Sequence, residues 1–255
     1  MGILRVGVAG ALGRLGRVAC DAVDAAGDLT LAAAFARVAG ERVGDVTTDD
    51  DLDAFIARGL DAIVDCTVYP VTVEVARAAL AAKIPVVIGA TGWSDEDVVE
   101  LSDRCIESDT AAMLVPNFSF GALLMMRFAA QAARVFPQAE IIELHHEAKR
   151  DAPSGTAKLT ARRIQAAGGS SPTIHSVRLP GLVAHQETIF GGRGETLTIR
   201  HDSLSRESFA PGIVAAVRAV REQRGLVIGL DTVLDGMLAP FDELRPGFRP
   251  AQDRL

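Results

Sequence analysis

The stretch LRVGVAGALGRLGR, residues 4–17, determines the fold class of the N-terminal half. An apolar run, Leu4–Ala9, is followed by Gly10, Gly13 and Gly16 and by a helical pattern near 14–26. Glycines permit a tight turn, and the amides that begin a helix attract an anion such as a pyrophosphate. The spacing is G-x-x-G-x-x-G, and a turn without a ligand could use the same residues. Its position after the first strand favours a dinucleotide site.

More apolar runs follow, at 29–35, 62–66, 85–88 and 112–115, and helical patterns lie between them near 50–58, 71–82 and 95–107. Continuous apolar strands that alternate with helices are typical of a parallel sheet covered on both faces. The N-terminal part is therefore predicted to be a Rossmann-like, doubly wound α/β unit.

The second half has a different pattern. Helices are predicted at 121–135, 154–167 and 211–223, and a strand at 139–146. Three β-rich runs then follow, TIHSVRL, HQETIF and ETLTIRHDS, of which the last two are joined by the turn GGRG. Consecutive strands predict an α+β unit with a mainly antiparallel sheet. The polar, Pro-rich tail 240–255 is expected to be poorly ordered.

Composition excludes several classes of protein. The net charge of −7 argues against nucleic acid or an anionic membrane as the main partner. No apolar run approaches the roughly 20 residues of a membrane span, and the N-terminus lacks the layout of a signal peptide. Cys20, Cys66 and Cys105 have no metal-like spacing and are interpreted as buried thiols in a reducing cytoplasm.

The residues after the second strand bear on the cofactor. A carboxylate at this point would bind ribose hydroxyls, but the sequence has Ala36 and Arg37. The arginine favours a 2′-phosphate and hence NADPH over NADH, although a solvated loop arginine would look the same. GATG (89–92) and VPNF (115–118) follow later strands, at the sheet edge where α/β proteins bind ligands.

The segment ELHHEAKRDAPSGTA, residues 143–157, concentrates chemically useful side chains. On a strand His145 and His146 point to opposite faces, so they cannot do the same work. An imidazole suits proton transfer at neutral pH. Lys149 and the helix start at Ser154-Gly155-Thr156 suit a carboxylate.

Each feature of this segment has a structural alternative, a surface pair of histidines or a simple helix cap, but the cluster favours a site. A metal site is not expected, because adjacent histidines on a strand diverge. His185 and His201 are assigned to structure or oligomer contacts, and His175 has no distinguishing context.

Segment 143–157 resembles the hallmark of the dihydrodipicolinate reductases, and the similarity extends over residues 4–235. Other similar segments, in the same order, are VAGALGRLGR, VDCT, VIGATGW, VPNFSFGA and LVAHQETIFGGRGETLTIRHDSLSRESFAPG. The family reduces a cyclic, unsaturated imine dicarboxylate with NADH or NADPH, in lysine and diaminopimelate biosynthesis.

The resemblance implies that His145 and Lys149 are the catalytic proton donors. It implies that the substrate carboxylates bind His146, Ser154, Gly155 and Thr156. It implies that the cofactor lies against Gly10, Ala11, Leu12, Gly13, Arg14, Leu15, Gly89, Ala90, Thr91, Val115, Pro116, Asn117 and Phe118. It also implies a homotetramer and a nucleotide domain, 1–118 with 208–255, interrupted by a substrate domain, 119–207.

The sequence departs from the family at Cys66, where phenylalanine is usual, at Ala90, where a hydroxyl is lost, and at Ala36. The link 168–173 is also shorter than in many members. Two alternatives therefore stay open. One is a related imine reductase or dehydrogenase with another substrate, and the other is a non-catalytic nucleotide-sensing protein.

Overall fold

The computed structural model describes residues 2–238, which form an eight-stranded and a four-stranded sheet. The strands are β1 (Leu4–Ala9), β2 (Leu29–Phe35), β3 (Arg42–Val43), β4 (Val46–Asp49), β5 (Ala62–Asp65), β6 (Val86–Ile88), β7 (Ala112–Leu114), β8 (Gln138–His145), β9 (Thr173–Arg178), β10 (Ala184–Gly192), β11 (Glu195–Ser203) and β12 (Leu226–Ile228). The helices are α1 (Arg14–Ala25), α2 (Leu52–Ile56), α3 (Val71–Ala81), α4 (Asp95–Ser108), α5 (Phe120–Ala132), α6 (Gly155–Ala166), α7 (Ala210–Val220) and α8 (Asp231–Met237). The tail prediction, 240–255, lies outside the described residues.

The first sheet has the strand order β12-β7-β6-β5-β1-β2-β4-β3, and all its pairs are parallel except β3–β4. Helices α1 and α7 pack together, and α3 packs with α2 and α4. Strand β1 lies between β2 and β5. The strands that follow β2 and β4 in the chain, β5 to β7, extend the sheet on the opposite side of β1, so the strand order reverses there. The predicted doubly wound unit is confirmed, and the ligand crevice of such sheets lies at this switch point.

Four short elements, β3, β4, β12 and α8, were not predicted. Strands β3, β4 and β12 have two to four residues and are partly exposed, so neither a period of two nor a fully buried run identifies them. Strands β5, β6 and β7 are as short, but every residue in them is buried. Strands β4 and β12 depend on a neighbour: Phe35 of β2 pairs with Asp49 of β4, and Leu226 of β12 pairs with Ala112 of β7.

The second sheet has the order β11-β10-β8-β9. Strand β10 is antiparallel to β8 and β11, while β8 and β9 are parallel and are joined through α6. The predicted mainly antiparallel sheet is confirmed, with one parallel pair. Ile141 and Phe190 are buried against Ile164 of α6. Ile142, Leu144 and Ile189, which alternate with these residues, are only half-buried.

Within residues 2–238 no helix is long and apolar enough to cross a membrane. Cys20 and Cys105 are buried thiols, as predicted, and burial raises the pKa of Cys20 to about 12. Cys66 is only half-buried, but it packs against the core, and burial raises the pKa of its thiol well above the ordinary value. Cys66 follows the last residue of β5 and so lies at the open carboxyl edge of the sheet.

Candidate active site

The glycine loop joins β1 to α1 in a turn that only glycine tolerates. Gly10 has φ +77°, and a Cβ there would lie 2.7 Å from the backbone of Cys66. A Cβ on Gly16 would lie 2.0 Å from the carbonyl oxygen of Gly10. Helix α1 therefore packs directly against the turn that precedes it.

The N-terminus of α1 is available to an anion. Its N-cap is Gly13, which has no side chain to accept from the first amides, and its first turn contains no acidic residue. The amides of Gly10 and Ala11 instead donate to the carbonyl oxygen of Phe35, at 2.8 and 3.1 Å, and hold the loop against β2. The positive end of the helix dipole thus meets no counter-charge from its own first turn, and the loop fits a pyrophosphate.

The two later loops reach the same edge of the sheet. A Cβ on Gly89 would lie 2.8 Å from the ring of Phe118 and 3.2 Å from Leu15, so the three loops meet. The side chains of Ala11, Ala90, Val115 and Phe118 are buried. A ligand here would meet mainly their backbone. Leu12 and Asn117 are half-buried, and Gly13, Arg14, Thr91 and Pro116 are exposed.

Arg37 lies exposed just beyond β2, and it forms no ion pair with any residue of 2–238. The amide of Ala36 donates to the carbonyl oxygen of Asp49 at 2.9 Å. The Asp49 carboxylate is paired with Arg58 at 2.8 Å. The guanidinium of Arg37 therefore remains available for an anion.

His145 ends β8 and borders a cavity between the two sheets. One wall comes from the loop after β7 and from α5, and the other from β8, α6, β10 and β11. The cavity is lined by Asn117, Ser119, Ala122, Met125, His145, Ser154, Thr156, Ala184, His185, Gln186, His201, Ser203 and Phe209.

Glu143 is a wholly buried carboxylate two residues before His145, on the same face of β8. Its Oε2 lies 2.5 Å from Nδ1 of His145, and its two oxygens accept from Arg178 at 2.8 and 2.9 Å. Burial by itself raises the pKa of Glu143, but the hydrogen bonds from Arg178 and His145 outweigh it, and the net pKa is lowered. Glu143 is therefore ionised. The sequence analysis assigned no role to Glu143 or Arg178.

His145 has its pKa lowered from the ordinary value. Burial is the largest cause, because the imidazolium loses hydration, and the cations of Lys149 and Arg178 act in the same direction. The hydrogen bond to Glu143 opposes them. His145 is thus a neutral imidazole near pH 7 that can gain and lose a proton.

His146 and Lys149 lie outside the cavity wall. Strand β8 ends at His145, and the chain then turns, with the amide of Lys149 donating to the carbonyl oxygen of His146 at 3.1 Å. The Lys149 ammonium pairs with Asp151 at 2.8 Å. This contact uses one of the three N–H donors of the ammonium.

The first turn of α6 forms the floor of the site. Ser154 is its N-cap, accepting from the amide of Ala157 at 3.1 Å, as predicted. A Cβ on Gly155 would meet nothing within 4 Å, so its backbone is open to a ligand. Thr156 receives a hydrogen bond from Nδ2 of Asn117 at 3.4 Å. This contact joins the loop after β7 to the histidine site.

His185 and His201, which the sequence assigned to structure or oligomer contacts, both line the cavity with His145. Nε2 of His201 lies 3.2 Å from Ser119 Oγ, and Nδ1 of His185 lies 2.6 Å from Asp202. They follow His145 by more than 35 residues in the chain, so only strand pairing reveals their proximity. His175 is exposed and pairs with Glu140.

Among residues 2–238 no cluster of three or more His, Cys, Asp or Glu side chains is placed to hold a metal ion. The ionisable groups of the site are instead paired with one another. Such an arrangement suits proton transfer and the binding of an anion.

Comparison with known proteins agrees with this geometry. Residues 4–118 match the family model "Dihydrodipicolinate reductase, N-terminus", and residues 121–234 match "Dihydrodipicolinate reductase, C-terminus". The 4-hydroxy-tetrahydrodipicolinate reductase of Mycobacterium sp. (strain KMS) is 42% identical over 254 residues, covering 91% of this chain and 99% of that protein. The enzyme of the same name from Moorella thermoacetica is 42% identical, covering 91% and 98%.

A solved structure, described as dipicolinate-bound dihydrodipicolinate reductase from Paenisporosarcina sp. TG-14, superposes with a TM-score of 0.80 and 33% identity. The match covers 90% of this chain and 99% of that one. The scyllo-inositol dehydrogenase of Lactobacillus casei shares only the fold, with a TM-score of 0.60 and 14% identity over 92% and 94% of the two chains. The chain belongs to the dihydrodipicolinate reductase family.

Proposed function

We propose that the protein reduces dihydrodipicolinate, formed from 4-hydroxy-tetrahydrodipicolinate, to tetrahydrodipicolinate in lysine and diaminopimelate biosynthesis. The observation that carries the proposal is the cavity in which His145 meets the first turn of α6. The Paenisporosarcina structure holds dipicolinate, an aromatic relative of such a substrate. A dianion needs local hydrogen-bond donors and cations in a chain of net charge −7.

The protein uses a nicotinamide cofactor, for which the glycine loop, GATG and VPNF are the proposed binding residues. The bound cofactor supplies the hydride for the conjugated imine. Hydride addition leaves electron density on the neighbouring ring carbon, and a proton must then be added there.

The protein's own groups are assigned to that proton and to the substrate charges. Nε2 of His145 is the nitrogen assigned to the proton, since Nδ1 is engaged by Glu143. In the neutral ring Nε2 carries no hydrogen, so it first takes a proton from solvent and then gives it to the ring carbon. Lys149 assists as a second donor. The amides and hydroxyls of Ser154, Gly155 and Thr156, with His146, hold the carboxylates.

The test of the function is a coupled assay. Dihydrodipicolinate synthase generates the substrate in the cuvette, and the loss of reduced nicotinamide absorbance is followed. Turnover that requires the synthase supports the proposal. Turnover only with other imines indicates a related reductase, and nucleotide binding without any turnover indicates a sensing protein.

We predict that Thr156→Val raises KM for the imine by about 10-fold while kcat changes less, because a hydroxyl that binds the carboxylate is replaced by a methyl of similar volume. Initial rates over a range of substrate concentrations measure both constants. Thr156→Ser, which keeps the hydroxyl, and Thr173→Val, on the exposed start of β9, are the controls. An unchanged KM in Thr156→Val would remove this residue from the carboxylate site.

We further propose a preference for NADPH over NADH, supported by the unpaired, exposed guanidinium of Arg37. Arg37→Ala is expected to lower kcat/KM for NADPH by about 10-fold or more and to leave NADH unaffected, because a charged hydrogen bond contributes ~1.5–3 kcal/mol. Arg42→Ala, at an exposed arginine of β3, is the matched control. A parent enzyme that strongly prefers NADH would refute this assignment.

A homotetramer is proposed through the face of the four-stranded sheet that α5 and α6 leave uncovered. The half-buried Ile142, Leu144 and Ile189 on that face support it. Light scattering during gel filtration would distinguish a tetramer from a dimer. We also propose the domain division given above, 1–118 with 208–255 and 119–207, and a cytoplasmic location.

A further inference from the structure

We propose that Glu143 and Arg178 are positioning residues, which together hold His145 with Nδ1 as the donor and tune its proton affinity in opposite directions. This inference rests on the proposed function, since it concerns the proposed acid of that reaction. It gives a role to an ion pair between a buried carboxylate and a half-buried guanidinium, neither of which lines the cavity.

The contact with Glu143 sets the orientation of the His145 imidazole. An ionised carboxylate can only accept, so the contact of 2.5 Å between Glu143 and His145 requires a proton on Nδ1. Nε2 is then the nitrogen that exchanges a proton, and within residues 2–238 no group hydrogen-bonds to it. Since His145 lines the cavity, this nitrogen is left for the substrate.

The charges of Glu143 and Arg178 act on the proton affinity of His145 in opposite directions. A buried carboxylate beside an imidazole stabilises the imidazolium, and by itself it would hold His145 as a weak acid. Arg178 donates to both oxygens of Glu143, at 2.8 and 2.9 Å, so the pair is neutral as a whole. His145 therefore keeps the orienting hydrogen bond without the full effect of the negative charge.

The ion pair also holds the backbone at Asp151 and Ser154. Glu143 Oε1 accepts from the amide of Ser154 at 3.2 Å, and Arg178 donates to the carbonyl oxygen of Asp151 at 2.7 Å. The two residues thus fix both the strand end that carries His145 and the start of α6. The acid and the carboxylate site are held in register by one ion pair.

Other titratable groups face His145 from the surrounding elements, and they stay constant in the test. Lys149, paired with Asp151, lies on the turn after β8. His185, held by Asp202, and His201 lie on β10 and β11 across the cavity. The substitutions of Glu143 and Arg178 below replace none of these groups.

The test is an NMR titration of His145, with ¹³C- and ¹⁵N-labelled histidine in the full-length protein. The His145 signal is identified as the one lost in His145→Gln. Glu143→Gln leaves the Arg178 cation facing the imidazole, so the His145 pKa should fall by about 1 unit or more. Arg178→Met leaves the carboxylate unpaired, so the pKa should rise by about as much. Arg178→Lys, which keeps the charge, should restore a value near that of the parent.

Glu140→Gln is the matched control, because Glu140 contacts His175 on the other face of β8. It should shift the His175 signal and leave His145 unchanged. If Arg178→Met does not fold, the double variant Glu143→Gln/Arg178→Met removes both charges. Its His145 pKa must then lie above that of Glu143→Gln alone.

Shifts of the same sign in Glu143→Gln and Arg178→Met, or shifts below ~0.3 unit in both, would overturn the proposal. A double variant with the same pKa as Glu143→Gln would do so as well. The titration needs neither substrate nor cofactor. A failed coupled assay with opposite titration shifts would therefore refute the proposed function alone.

Discussion

The variant His145→Gln is expected to lose activity by about 10²–10⁴-fold in kcat, the range that general acid–base catalysis contributes. Glutamine can donate to Glu143 through its amide and fills a similar volume, but it has no proton to give at neutral pH. Because the lost interaction acts in the transition state, kcat and kcat/KM should fall together while KM changes little. Steady-state rates from the coupled assay measure all three.

His175→Gln is the matched control for this substitution. Its imidazole lies on the neighbouring strand, β9, and is 53% exposed, whereas that of His145 is 14% exposed. We expect parental rates from the control and the same melting temperature in both variants within ~2 °C. Equal kcat in His145→Gln and the parent would show that another group supplies the proton.

The second large effect is expected in Lys149→Met, which should lower kcat/KM by about 10²-fold. Methionine keeps the aliphatic length of the side chain but cannot pair with a carboxylate or donate a proton. The structure pairs the ammonium with Asp151 at 2.8 Å, and its other N–H donors can bind a substrate carboxylate and supply a proton. The loss should therefore fall on both KM and kcat.

Lys149→Arg separates the two roles, because a guanidinium keeps the charge but does not release its proton. It should recover KM more completely than kcat. Lys158→Met, at an exposed lysine of α6, controls for the loss of a surface charge. Parental kinetics in Lys149→Met would exclude this lysine from the site.

The long strands of the first sheet could be predicted closely. Strands β1 and β2 have the bounds that the sequence analysis gave, Leu4–Ala9 and Leu29–Phe35. Both lie inside a sheet covered by helices, so burial demands continuous apolar runs that remain legible in the sequence. Strand β12 has three residues, which are not fully buried, and it exists because β7 offers an unpaired edge.

The histidine site, too, could be predicted from the sequence only in part. The alternation of a strand separates His145 from His146, and the structure places only His145 in the cavity wall. No local pattern indicates that Glu143 is buried against Arg178, 35 residues later in the chain. That contact arises because the crossover through α6 brings β9 parallel to β8, with Arg178 opposite His145.

The sequence by itself determined the order of the longer elements, the glycine turn and the cluster from Glu143 to Thr156, because each depends on neighbours within about fifteen residues. Tertiary structure decided the rest: which imidazoles line the cavity, which ion pair contacts His145 and which cations remain available for an anion. Strand register and burial create these relations, since they set distances and desolvation between residues that are far apart in the chain. The order of residues within a short segment does not show which distant residues will come into contact or how far each will be desolvated.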